Sequence, residues 1–278
     1  MQLNVLGEDE NTAESYHNLG ELQHITGDQK GASESLQKAA NIRTNLLGDH
    51  KDTACSYFIL GVVQRDLGDH QRALEALKKA VEIQSSLPGD HKDTADSYFN
   101  LGVVQRDLGD HRRASKSLKK AADIQSNLPG DHEDIARSYY ILGGVQHFLG
   151  DLKGASECLE KASKIYLDVL GDTKDAAYCF LTYGEVLSER GNYNCALEPL
   201  RKAAEIMLNV PGFHKDTARS FYLLGVAQFH LNDFRGALES FEQASKMNLD
   251  LFGAHNPATV ASLKCLNEVK KALNLQSQ

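Results

Sequence analysis

Along residues 52–86, apolar and small side chains fall at helical spacing twice over. Tyr57, Leu60, Gly61 and Gln64 share one face of a first helix, the run "LGD" interrupts, and Ala73, Leu77 and Ala80 resume the spacing. The pattern predicts a pair of antiparallel helices. It returns at a fixed interval: Gly7, Gly48, Gly89, Gly130, Gly171, Gly212 and Gly253 are each 41 residues apart, as are Gly20, Gly61, Gly102, Gly143, Gly184 and Gly225. Repeats are therefore expected at about 11–47, 52–88, 93–129, 134–170, 175–211 and 216–252. A capping helix over 257–273 follows, with Asn267 where glycine stood before, and then a frayed tail over 274–278. Residues 1–273 read as one array.

The boundaries carry the chemistry that helix ends require. Asn11, Asp52, Asp93, Asp134, Asp175 and Asp216 are expected to cap the first helices. Gly27, Gly68, Gly109, Gly150, Gly191 and Asn232 stand where the chain must turn through a left-handed conformation, which glycine and asparagine adopt most cheaply. Asp28, Asp69, Asp110, Asp151, Asn192 and Asp233 come next and are expected to cap the second helices. The fifth repeat departs most, with Phe180, Tyr183 and Leu187 in altered columns and Pro199 inside its second helix, where a local bend is expected. The opening "MQLNVLGEDENTA" aligns with "IQSSLPGDHKDTA", so the first residues read as the tail of a second helix from a longer array.

A large residue followed by Leu-Gly, then a small-large-small trio (Tyr57, Leu60, Gly61, Ala73, Leu77, Ala80), resembles the tetratricopeptide repeat. That unit has about 34 residues. Lengthening it by about 7, close to two helical turns, keeps the buried face in phase. The resemblance implies an all-α fold, a right-handed superhelical α-solenoid of helix-turn-helix repeats with first helices lining a concave groove. Long units joined by links such as "GDHKDTA" and "GAHNPAT" resemble the kinesin light chain and nephrocystin-3 type. Kinesin light chains also carry an amino-terminal heptad region, which this sequence lacks.

A second stripe on each first helix is expected to face that groove. Its rings are Phe58, Phe99, Tyr140, Tyr222 and Phe229, its aliphatic side chains Val62 and Val103, and its cations Arg65, Arg106, Arg137 and Arg219. Rings bury area and arginine holds carboxylates through two parallel bonds, which is the equipment of a peptide groove. Two alternatives stay open: the rings can pack between neighbouring first helices, and the arginines can pair with acidic neighbours such as Asp66 and Asp107. The resemblance further implies a groove asparagine that holds a bound peptide's backbone. Asn18 and Asn100 occupy that column, whereas Ile59, Ile141, Thr182 and Leu223 depart from it.

Composition narrows the remaining choices. The chain has 278 residues, a formal net charge of -8 and no basic run, so the electrostatic footprint of a nucleic-acid binder is missing. No apolar window is long enough to span a membrane, and no basic start or apolar core of a signal peptide opens the chain. A cytoplasmic address follows as the default expectation. Five cysteines form no C-x-x-C pair, so reduced, mostly packed thiols are expected, with no zinc site and no cofactor. No nucleotide, hydrolase or metalloprotease motif is present. The Asp69-His70 and Asp110-His111 pairs belong to separate repeats, where each would have to act alone, so they read as helix punctuation. The expected function is that of a non-catalytic scaffold or adaptor for a protein or peptide partner. The alternatives are a kinesin-light-chain-like cargo adaptor, the repeat portion of a larger signalling or ciliary protein, and self-association through the array ends.

Overall fold

The computed structural model describes residues 9–89, 91–130, 132–209, 212 and 214–276. The expected second-helix tail at 1–7 lies outside them. The helices gather into two compact blocks, residues 1–131 and 132–278. The first block holds α1 (Glu10–Ile25), α2 (Gln29–Leu47), α3 (Lys51–Asp66), α4 (His70–Ser86), α5 (His91–Asp107) and α6 (His111–Gln125). The second holds α7 (His132–Phe148), α8 (Leu152–Ile165), α9 (Lys174–Glu189), α10 (Tyr193–Asn209), α11 (His214–His230), α12 (Phe234–Phe252) and α13 (Pro257–Gln276). A π-helical turn, Tyr166–Leu170, extends α8. Within each block a second helix packs on its own first helix and on the first helix that follows, as α4 does on α3 and α5, and α12 on α11 and α13. Both blocks are therefore all-α solenoids built from helix-turn-helix repeats.

The glycine columns explain the packing. A Cβ added at Gly61 would sit 2.6 Å from Leu77 Cγ, and at Gly143 2.7 Å from Leu159 Cγ. Leu77 and Leu159 are fully buried, so neither has room to retreat, and glycine is what lets the two helices of a repeat approach this closely. The turn column is left-handed throughout, with φ between 61° at Asn232 and 88° at Gly27. Asp28, Asp69, Asp110, Asp151 and Asp233 then cap the second helices, each carboxylate accepting from the amide three residues on.

The first-helix caps differ from expectation. Asp9, His50 and Thr173 stand before α1, α3 and α9, and their side chains accept from the amides of Thr12, Asp52 and Ala176. Asn11, Asp52, Asp93, Asp134, Asp175 and Asp216 lie inside the first turns instead. The reason is the tightness of the preceding link: His50 N–H bonds Gly48 C=O and Thr173 N–H bonds Gly171 C=O, both at 3.0 Å. The chain has reversed within two residues of the glycine, and the helix starts there. The aspartates then stabilise the positive end of the helix dipole rather than a single orphan amide.

At the C-terminal end, α13 runs to Gln276, so residues 274–276 belong to the helix and not to a frayed tail. Leu266 and Val269 bury against Phe241 of α12. Helix α10 continues without interruption through the buried Pro199. The substitution is matched one helix earlier. In sister repeats a serine hydroxyl donates to a glutamine across the pair, Ser35 to Gln23 at 2.7 Å and Ser117 to Gln105 at 2.8 Å. In the fifth repeat those columns hold Pro199 and Leu187, both buried, so no polar atom is left over.

The second repeat breaks that pairing. Ala76 replaces the serine, and the buried Gln64 Oε1 has no hydrogen-bond partner. An Ala76→Ser variant is expected to gain about 1 kcal/mol by supplying the missing donor, against a smaller loss of helix propensity. Urea denaturation measures it; a net loss would show that the donor is not reached.

A buried polar knot joins α1, α2 and α3. Arg43 donates to Ser56 Oγ at 2.7 Å and to the Asp52 carbonyl at 3.0 Å, and His17 Nδ1 lies 3.1 Å from the same Ser56 oxygen. Burial, then the Arg43 charge, holds the His17 imidazole below the usual histidine range. The unfolded chain, with a histidine near pH 6.5, binds that proton first. Stability is therefore expected to be complete above about pH 6.5 and to fall as pH drops below it, levelling off below the folded-state pKa. Thermal melting of wild type against His17→Gln over pH 5–8 reads this, and an unchanged slope would contradict it.

Candidate interaction face

The stripe singled out from sequence lies where first helix meets first helix within each block. In the first block, Arg65 Nη1 of α3 donates to Asn100 Oδ1 of α5, and Arg65 Nε and Nη2 both reach Asp66 Oδ1. Asn100 also donates to its own Asp96 carbonyl at 2.9 Å. Its amide is thus engaged inside the array, whereas Asn18 is exposed on α1. Arg106 places Nε and Nη2 on Asp107 Oδ1 at 2.9 and 2.8 Å. Those bonds use two of five guanidinium N–H groups and leave Nη1 as a donor for another carboxylate.

Phe58 is half-buried and touches core clusters on both sides of α3, including Tyr57 and Leu60 on one side and Leu77 and Leu101 on the other. The packing alternative therefore describes it well. Phe99 is likewise half-buried. Val62 and Val103 are half-buried while the adjacent Val63 and Val104 are fully buried, so the stripe is where each first helix leaves its core.

In the second block the same columns are joined by other pairs. Arg219 of α11 bonds the Glu185 carboxylate of α9, and His147 Nε2 of α7 lies 2.9 Å from Glu189 Oε2 of α9. Arg137 is exposed on α7. Tyr140 is half-buried, and burial pushes its phenol up against the opposing effect of a Thr182 hydrogen bond. Tyr222 packs at 5.8 Å from the Phe241 ring, and Cys265 Sγ meets its hydroxyl at 3.9 Å. Phe229 lies edge-on to Phe234 at 5.4 Å. Of the predicted rings, Phe58, Tyr222 and Phe229 thus serve packing as well as the surface.

Two features were missed from sequence. The acidic members of the stripe, Glu185 and Glu189, turn its cations into cross-helix pairs. A lysine-over-tyrosine stack also recurs on the other side of the first helices, as Lys79 over Tyr57 at 4.9 Å. The stack repeats at the 41-residue interval, and aligning the repeats by column would have exposed it, whereas the column of Glu185 holds Val62, Val103 and Gly144 in the three preceding repeats. Cys179 is buried, whereas Cys55 and Cys195 are exposed rather than packed. Among the described residues, no three His, Cys, Asp or Glu gather in a way that could hold a metal ion. Nor is any described helix long and apolar enough to cross a membrane.

Solved structures share this architecture. A putative kinesin light chain from Podosopora anserina with nearly identical repeats aligns with 74% of this chain and 99% of its own, at TM-score 0.60 and 22% identity. YrrB, described as a repeat protein with an unusual peptide-binding site, aligns with 81% of this chain and 98% of its own, at TM-score 0.61 and 19% identity. The apo form of RapI covers 94% and 98%, at TM-score 0.65 and 16% identity. No curated protein sequence matches the chain. Family models described as tetratricopeptide repeat match residues 32–86, 52–127, 93–168 and 170–250, and a further one matches 13–45. The recurrent glycines, the paired helices and these matches agree: the chain belongs to the tetratricopeptide repeat family.

Proposed function

We propose that the chain is a non-catalytic interaction scaffold whose first-helix face takes a protein or peptide segment. The observation that carries this is the accessibility of one stripe on otherwise closed helices: Val62 and Val103 remain half-exposed beside the buried Val63 and Val104. Rings flank those valines and paired charges edge them. Apolar anchors with adaptable charged neighbours suit a segment that alternates apolar and acidic or amide side chains. A peptide site in the structurally similar YrrB supports the reading, and a kinesin-light-chain-like cargo adaptor in the cytoplasm is its finer form. The arginines would then act by exchange, as a partner carboxylate takes N–H groups now held by Asp66, Asp107 or Glu185.

Reversing the charge of two of them tests the idea. An Arg65→Glu/Arg106→Glu variant is expected to lose at least about tenfold in affinity for peptides selected on a random array, with little change in melting temperature because both side chains are partly exposed. Unchanged binding would count against this face.

Self-association is the second reading. On α1, Leu19 and Leu22 are 44% and 58% exposed, whereas their counterparts Leu60 and Val63 are 1% and 0%. Concentration-dependent light scattering, abolished by Leu22→Ser, is the result expected if a second copy covers that face.

A further inference from the structure

The side of the first helices opposite the stripe holds a second repeating device. In repeats one to four, a lysine from the second helix lies over the first-helix tyrosine: Lys38 over Tyr16, Lys79 over Tyr57, Lys120 over Tyr98 and Lys161 over Tyr139, at 4.8–5.1 Å. A hydroxyl from the preceding second helix meets the phenol as well, Thr44 with Tyr57 at 3.1 Å and Ser85 with Tyr98 at 3.3 Å. The lysine is a lid over the furrow between consecutive second helices, and the pocket beneath it at the second repeat has a volume of about 310 Å³.

These columns change in two steps: the fifth repeat already holds Leu167 and Phe180 while keeping Lys202, and the sixth loses the lysine as well. In the sixth, Leu208 stands for the hydroxyl residue, Phe221 for tyrosine and Gln243 for lysine. With the lid gone, a pocket of about 580 Å³ opens between α10 and α12 over Phe221 and Leu224 of α11, within the roughly 300–1,000 Å³ range of ligand sites. Leu208 forms one wall and is 59% exposed. Its rim carries three carboxylates, Glu205, Glu239 and Glu242, and one cation, Arg201, which already bonds Glu198 at 3.0 Å, while Glu242 pairs with Lys270 of α13 at 3.6 Å.

We propose that this pocket is a second binding site, separate from the stripe, for a basic amphipathic helix that seats its apolar side chains on Phe221 and Leu208. Helical partners are recognised this way, through an apolar furrow edged by charge of the opposite sign. The sixth repeat differs from the first four at all three columns, and the loss of the lysine sets it apart from the fifth, so its furrow is apolar-walled and lidless at once. The acidic rim selects a partner whose apolar face is bordered by lysine or arginine.

The test uses the full chain and two labelled 16-residue helical peptides, one with leucines on one face and lysines on the other, the second with each lysine replaced by glutamate. Fluorescence anisotropy at physiological salt is expected to show binding of the lysine peptide alone. A Leu208→Thr/Phe221→Tyr variant, which restores sister-repeat residues without altering charge, is expected to weaken it at least about tenfold; adding Gln243→Lys is expected to abolish it. Melting temperature serves as the control for folding, and Arg65→Glu/Arg106→Glu is expected to leave this binding unchanged. Equal binding of both peptides, binding unaffected by the pocket variants, or no binding at all would overturn the proposal. So would a pocket variant whose one effect is to dissociate the free chain in sedimentation, since a second copy would then be the occupant.

Discussion

Gly143→Val is expected to lower the stability of the chain by about 3 kcal/mol, whereas Gly144→Ala, one residue along the same helix, is expected to raise it by up to about 1 kcal/mol. Composition and helix propensity treat the two positions alike. Their surroundings separate them: a Cβ at Gly143 would lie 2.7 Å from Leu159 Cγ and 3.3 Å from the Ala155 carbonyl oxygen, while one at Gly144 meets nothing within 4 Å. The first variant forces α7 and α8 apart at the contact that joins them. The second removes backbone freedom from the unfolded chain and meets no clash. Urea denaturation followed by circular dichroism measures both, and a shift of the same sign for the two would refute the close-approach account. Against a typical total of 5–15 kcal/mol, the loss at Gly143 is large enough to unfold the repeat at mild denaturant.

The second large effect is expected at the residue that fills the space glycine leaves. Leu159 is fully buried, and Leu159→Ala is expected to cost about 2–5 kcal/mol through lost apolar contact and an unfilled cavity. The two sites are coupled because the Gly143 Cβ would occupy that very volume. A Gly143→Ala/Leu159→Ala double variant is accordingly expected to be less destabilised than the sum of the singles, with a coupling of about 1 kcal/mol or more. Strict additivity in a double-mutant cycle would mean that the two residues do not share a contact.

These effects were legible in the sequence because they live on columns: every 41 residues one glycine and one large apolar residue, leucine in five repeats and Phe241 in the sixth, specify a helix pair without reference to anything distant. The turn glycines and second-helix caps were legible for the same reason. First-helix caps were misplaced because an aspartate near a helix start suits both the cap and the first turn, and only the tight bonds after Gly48 and Gly171 place the start two residues earlier. The stripe was found as a face, but its electrostatics were not. Arg65 meets Asn100 and Arg219 meets Glu185 across neighbouring helices, and partners so far apart in sequence show no local pattern. The Phe221 pocket was visible in principle as a lysine column lost at Gln243 after the hydroxyl and tyrosine columns had changed in the fifth repeat, a signal that emerges once the repeats are compared with one another rather than with a family pattern.

The first-helix stripe is proposed as the surface that meets a partner. Photo-crosslinking in the cell of origin addresses this directly, with benzoylphenylalanine placed singly at Val62, at Val103, or at the exposed Lys78 on the outer side of α4. The expected result is one shared crosslinked protein from Val62 and Val103 that is absent from Lys78 and lost in the Arg65→Glu/Arg106→Glu background. Crosslinks confined to Lys78, or unchanged by the arginine substitutions, would contradict it.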